Sequence, residues 1–140
     1  MQTVVITGGG QAPFAVTLSN GEVIELQREE PKSTDLVLAG LASCSARTLD
    51  LVMRRMRMKP PSIELSISAQ RAPDPPQVFT RIDMLWRIQV PAADEDRLRR
   101  GLELAESHCT VFNILKLATP IHVAVEIDAV PPDGHAGGGL

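Results

Sequence analysis

From Leu36 to Ala46 the chain reads LVLAGLASCSA, apolar on nearly every face of a helix and rich in small residues at Ala39, Gly40, Ala42 and Ser43. A helix with no polar face has to be covered from all sides, and small side chains let the covering elements approach closely. The helix that contains this stretch is predicted from about Thr34 to Met58. Ser33 or Thr34 can cap it, Asp35 in the first turn suits the exposed N–H groups, and it stops before Pro60-Pro61. Its second half is amphipathic, with Arg54, Arg55 and Arg57 turned to water. Leu36 to Ala46 is therefore expected to be fully buried.

The flanking segments alternate with a period of two. Val4-Ile6, Phe14-Leu18 and Val23-Leu26 read as three short strands, the last two joined at Asn20-Gly21, a strong hairpin signal. Ser62-Ser68 and Val78-Val90 read as two long antiparallel strands around a turn at Pro73 to Pro76. A second helix begins near Ala93-Asp96, acidic as a helix start should be, and continues toward Cys109. Val111-Ala118 is a further short helix ended by Pro120, and Ile121-Ile127 is the closing strand. The order βββ-α-ββ-α-α-β, without regular βα alternation, argues an α+β fold. Residues 1–129 are expected to form a single domain, with a disordered tail over 130–140 carrying Gly137-Gly138-Gly139.

Length and composition narrow the functions. One domain with 44% hydrophobic and 22% charged residues has the profile of a globular protein. A net charge of −3, no Tyr and a single Trp give nucleic acid neither an electrostatic nor a stacking surface. No apolar run is expected to reach the length of a membrane span, and the first residues lack the marks of a signal peptide. The reading is a cytoplasmic protein without nucleic-acid or membrane partners. In that compartment thiols stay reduced, so a transient disulfide fits better than a permanent one.

That matters because the chain holds two cysteines, Cys44 in the apolar helix and Cys109 at the end of the second. A thiolate that attacks a peroxide oxygen becomes a sulfenic acid, and a second thiol condenses with it to a disulfide. The chemistry requires one thiol to ionise near neutral pH, so burial has to be opposed by a cation or a helix N-terminus. Arg47, one turn beyond Cys44, is the candidate cation; equally it can pair outward with Asp50 or be solvated. His108 precedes Cys109, but adjacent helical residues diverge by roughly 100°. Zinc ligation by Cys44, Cys109, His108 and His122 has no local spacing to support it, and no metal is expected. Met53, Met56, Met58 and Met84 read as adaptable core packing that would also suit a greasy substrate. From the residues alone, two unreactive core cysteines stay open beside a redox pair.

Ser33-Thr34-Asp35-Leu36-Val37-Leu38-Ala39-Gly40-Leu41-Ala42-Ser43-Cys44-Ser45-Ala46 resembles the pattern of the OsmC/Ohr family, where a cap, an acidic residue and a Leu-rich stretch lead to a cysteine on a central helix. Ala105-Glu106-Ser107-His108-Cys109-Thr110-Val111 is similar to that family's second-cysteine motif. The likeness covers nearly all of residues 1–128. It implies two antiparallel sheets around two central helices in an intertwined homodimer, with both cysteines in one interface site. It also implies thiol-dependent reduction of organic hydroperoxides, with Cys44 as peroxidatic nucleophile and Cys109 as resolving thiol. No cofactor is implied beyond an external thiol reductant, and the partners are a second copy and a small hydrophobic peroxide or other apolar ligand. Two copies also cover the apolar helix more easily than one.

Three departures from the pattern resemble the YhfA-like branch of the family. Residues 1–27 contain no arginine, where the peroxidases hold the thiolate with one from the N-terminal hairpin. Asp35 stands where the family has a glutamate, and nine residues along a helix place it roughly 13 Å from Cys44 on the opposite side. Thr110 follows the second cysteine, where the peroxidases often have proline. The candidate site is Cys44, Cys109, Arg47 and Asp35. The alternative is a non-catalytic member that binds a small hydrophobic ligand at the dimer interface with its thiols reduced.

Overall fold

The computed structural model describes residues 1–59 and 61–130. Pro60 and most of the expected tail lie outside the described residues, while Val130 belongs to the last strand. The contacts gather into two compact units, Met1–Val37 and a second that begins at Leu38.

The first unit is a three-stranded antiparallel sheet, β1 (Val5–Gly9), β2 (Ala12–Thr17) and β3 (Val23–Leu26), in the order β1-β2-β3. The predicted hairpin joins β2 to β3. Gly21 takes a φ of 92°, and the Asn20 side chain accepts from the Glu22 N–H at 3.0 Å. At the β1–β2 turn Gly8 has a φ of 130°, and a Cβ there would collide with the Pro13 carbonyl. Val4, Val5, Ile6, Phe14 and Val23 are all exposed.

Helix α1 (Ser33–Arg55) continues into the second unit. It ends three residues before the expected Met58 because Arg57 adopts a left-handed φ of 58°. The Arg57 N–H bonds to the Arg54 carbonyl and the Met58 N–H to the Met53 carbonyl, a Schellman closure made without glycine. Leu41, Ser45, Leu49 and Met53, each four residues on from the last, are the buried stripe of α1. The expectation of a fully buried first half is therefore corrected, with Leu36 and Val37 exposed, because within this one chain only one face of the helix is covered. By length and composition alone α1 also qualifies as a membrane span, with a mean hydropathy of 1.5 over its most apolar stretch, against the expectation that no run would do so. Small residues and a scarcity of charge raise the average without an unbroken apolar run.

The second sheet has the order β4 (Ser62–Arg71), β5 (Phe79–Pro91), β6 (Ile121–Val130). β4 and β5 are antiparallel, as read from the sequence, with Leu65 opposite Trp86. β5 and β6 are parallel, with Trp86 opposite Val125, so the expectation of two antiparallel sheets holds only for the first. A parallel neighbour needs a crossover, and here it consists of α2 (Glu95–His108) and α3 (Thr110–Leu115). Ile82, Met84, Trp86, Ile88 and Val90 alternate onto the buried face of β5. They join Leu41, Leu49, Met53, Leu98, Ala105, Cys109 and Phe112 in one core. Gly101 of α2 faces Met53 near the end of α1 and Met56 just beyond it. This mixed α+β arrangement seats the start of α3 in the core of the second unit.

Candidate active site

Both cysteines lie in the second unit, and both are free thiols. Cys44 sits on α1 beside the buried stripe and is partly covered. Cys109 is 1% exposed, at the break between α2 and α3. That break is built locally. Cys109 leaves helical geometry at ψ 114° and caps α3 with its own sulfur, which accepts from the Phe112 N–H at 3.4 Å. Asn113 ties the turn together by donating its side-chain amide to the Cys109 carbonyl at 2.8 Å and to the Glu106 carbonyl at 3.0 Å.

The turn aims the start of α3 at Cys44. Burial raises the Cys44 thiol, but hydrogen-bonding stabilisation from the Val111 N–H, the Cys109 thiol and the Thr110 N–H outweighs it, and the outcome lies below the ordinary cysteine value. The Thr48 hydroxyl also approaches, yet it donates to the Cys44 carbonyl at 2.7 Å, so its single proton is already committed. Each thiol influences the other, and the two are pushed in opposite directions. Burial raises Cys109, which the Ser45 hydroxyl and the Phe112 N–H oppose only in part, and a charge on Cys44 raises it further. In such a pair Cys44 ionises first and Cys109 keeps its proton longer.

The other candidates stand apart from the sulfurs. Arg47 is exposed, and the outward pairing considered for it is not formed, because Asp50 bonds instead to Arg54 at 2.8 Å. Asp35 is exposed in the first unit. His108 is exposed, and His122 stands opposite Asp83 on the outer face of the second sheet. Among the described residues no three His, Cys, Asp or Glu side chains are grouped to hold a metal. Sequence reasoning missed the Thr110 and Val111 N–H groups, Ser45 and Asn113. An unexplained serine in the apolar stripe Leu41-Leu49-Met53 was the available signal for Ser45.

The family model described as OsmC-like protein matches residues 26–124, which contain both cysteines and most of the elements described. The chain belongs to the OsmC-like family. Solved structures share the OsmC-like fold at low identity. A hypothetical protein from Aquifex aeolicus VF5 is 18% identical over 93% of this chain and 98% of its own, with a TM-score of 0.80. An OsmC-like protein from Mycoplasma pneumoniae is 18% identical over 91% of this chain and 96% of its own, with a TM-score of 0.76. An organic hydroperoxide resistance protein from Legionella pneumophila is 15% identical over 93% and 97%, with a TM-score of 0.63. No match was found among curated proteins.

Proposed function

We propose that this OsmC-like protein is a thiol peroxidase that reduces organic hydroperoxides through Cys44 and Cys109. What supports the reading is the opposite bias on the two thiols. The N–H groups of Thr110 and Val111 push Cys44 toward the thiolate, and burial pushes Cys109 toward the protonated form. The Cys44 thiolate attacks the outer oxygen of the hydroperoxide; the O–O bond breaks, the alkoxide takes a proton and leaves as alcohol, and Cys44 becomes a sulfenic acid. Cys109 then displaces hydroxide from that sulfur to form a disulfide, and an external thiol reductant restores both thiols. The name of the Legionella relative, an organic hydroperoxide resistance protein, supports the substrate class.

In this reading the first N–H groups of α3 do for Cys44 what an N-terminal arginine does in the pattern the chain departs from, and Arg47 adds only a screened, longer-range attraction. Asp35 has no contact role on its own helix. The working form is a homodimer, supported by the half-covered α1 and by apolar side chains of the first sheet left exposed, Val5, Ile6, Phe14 and Val23 among them. A reducing compartment such as the cytoplasm supplies the thiol reductant. The alternative places a small hydrophobic ligand between two copies, so the cavity beside Cys109 within one copy, about 20 Å³ with room for one water, does not bear on it.

The test is steady-state turnover of cumene hydroperoxide with a dithiol reductant. Wild type should turn over, Cys44→Ser should not, and Cys109→Ser should stop at one equivalent per chain in the absence of reductant. Equal peroxide consumption by wild type and Cys44→Ser would refute the assignment.

A further inference from the structure

Three hydroxyl side chains of α1 surround Cys44 in sequence, and they are used differently. Ser43 donates back to the Gly40 carbonyl at 3.2 Å and Thr48 to the Cys44 carbonyl at 2.7 Å, the usual way a helical hydroxyl is satisfied. Ser45 instead points into the core, 4% exposed, and meets the Cys109 sulfur at 3.5 Å. A buried hydroxyl is costly unless it is bonded, and a neutral sulfur is a weak partner. The partner becomes a strong one when Cys109 is a thiolate, the form it must take to attack the Cys44 sulfenic acid.

Ser45 also has an outlet on its other side. With Cys109 and Glu106 it lines the cavity that has room for one water, among Met84, Trp86 and Phe112. Cys44 does not line that cavity. The hydroxyl thus stands between a sulfur that has to lose a proton and a space where a water can receive it.

We propose that Ser45 is a positioning residue for the resolving step, holding the Cys109 sulfur and passing its proton toward the cavity. The inference rests on the peroxidase reading and adds to it a residue that acts only in the second half-reaction. Once Cys44 is a sulfenic acid its thiolate no longer draws the Cys109 S–H, and that proton moves to the Ser45 oxygen as the hydroxyl proton passes to water. The Cys109 thiolate then attacks the Cys44 sulfur; the S–S bond forms, the S–O bond breaks, and the released hydroxide takes up the proton as water. The hydroperoxide of the first half-reaction is the oxidant. Ser45 also bonds the thiolate once formed, opposing the burial that raises Cys109.

The experiment separates the two half-reactions in wild type, Ser45→Ala and Ser45→Thr, given one equivalent of cumene hydroperoxide. Dimedone trapping with intact mass follows the sulfenic acid, and loss of the second thiol follows the disulfide. The first step should be within twofold of wild type in all three. Disulfide formation in Ser45→Ala should be about tenfold slower at pH 7, the loss of one hydrogen bond to a charged group, with its pH profile moved upward. Ser45→Thr, which keeps the hydroxyl, should recover most of the rate. Equal disulfide rates and pH profiles in Ser45→Ala and wild type would overturn the proposal.

A second measurement needs no peroxide. Thiolate absorbance of Cys109, titrated in a Cys44→Ser background, should move to higher pH when Ser45→Ala is added. If wild type forms no sulfenic acid, the peroxidase reading fails, and an unmoved titration would overturn the Ser45 inference by itself.

Discussion

Replacing Thr110 with proline tests whether α3 supplies the stabilisation that Cys44 needs. Thr110 is the first residue of α3, where proline is well accommodated because that N–H has no partner inside the helix. Cys109 before it is already extended at φ −74° and ψ 114°, the conformation a following proline requires. The substitution therefore removes one of the N–H groups that lower the Cys44 thiol and leaves the turn intact. A hydrogen bond to an ionised group is worth about 1.5–3 kcal/mol, and the low end applies here because Cys44 is only partly buried and the Val111 N–H and Cys109 thiol remain. About 1.4 kcal/mol corresponds to tenfold in the ionised fraction. Sulfenic acid formation by cumene hydroperoxide, measured by rapid quench and mass spectrometry, should be about tenfold slower at pH 7. Only the thiolate reacts, so the rate rises with pH as Cys44 ionises. Because Cys44 lies below the ordinary thiol value, the wild-type rate should level off at lower pH than a free thiol, and Thr110→Pro should level off later, at a similar plateau. An unchanged rate and pH profile in a folded Thr110→Pro would show that the start of α3 does not hold the thiolate.

Arg47→Ala should slow the same step less than twofold, since an exposed guanidinium is screened by solvent; a tenfold loss would return the leading role to Arg47. Gly101→Ala should raise stability by about 0.5–1 kcal/mol in a thermal melt. The added methyl would meet Met56 Sδ at 3.5 Å, an ordinary contact, so a lowered melting temperature would mean that α1 and α2 pack more tightly than described. Light scattering should give twice the chain mass, and Ile6→Lys on the exposed sheet should shift it toward the monomer; an unshifted dimer would remove the first sheet from the interface.

Most of the fold was legible because its elements carry strong local patterns. The period-two strands, the Asn20-Gly21 hairpin and the acidic start of α2 all appear where they were read. The end of α1 was not legible, since a left-handed Arg57 gives no glycine signal. The parallel β5–β6 pairing was not legible either, because alternation sets which face is buried and says nothing about strand direction. Burial of α1 was over-read, as composition states what a helix needs covered and not whether a single chain covers it. The places of the two cysteines, on α1 and at the end of α2, were legible in the two motifs, whereas the groups around them were not. Backbone N–H groups leave no trace in residue identity, so Arg47 is the visible charge in the sequence, whereas the N–H groups of Thr110 and Val111 are what lower the Cys44 thiol.

The most direct measurement treats the reduced protein with one equivalent of cumene hydroperoxide without reductant, then maps its thiols by peptide mass spectrometry. The account predicts one alcohol released per chain and a disulfide joining the Cys44 and Cys109 peptides of the same chain. Two alkylatable thiols after exposure, or oxidation confined to Cys109, would contradict it.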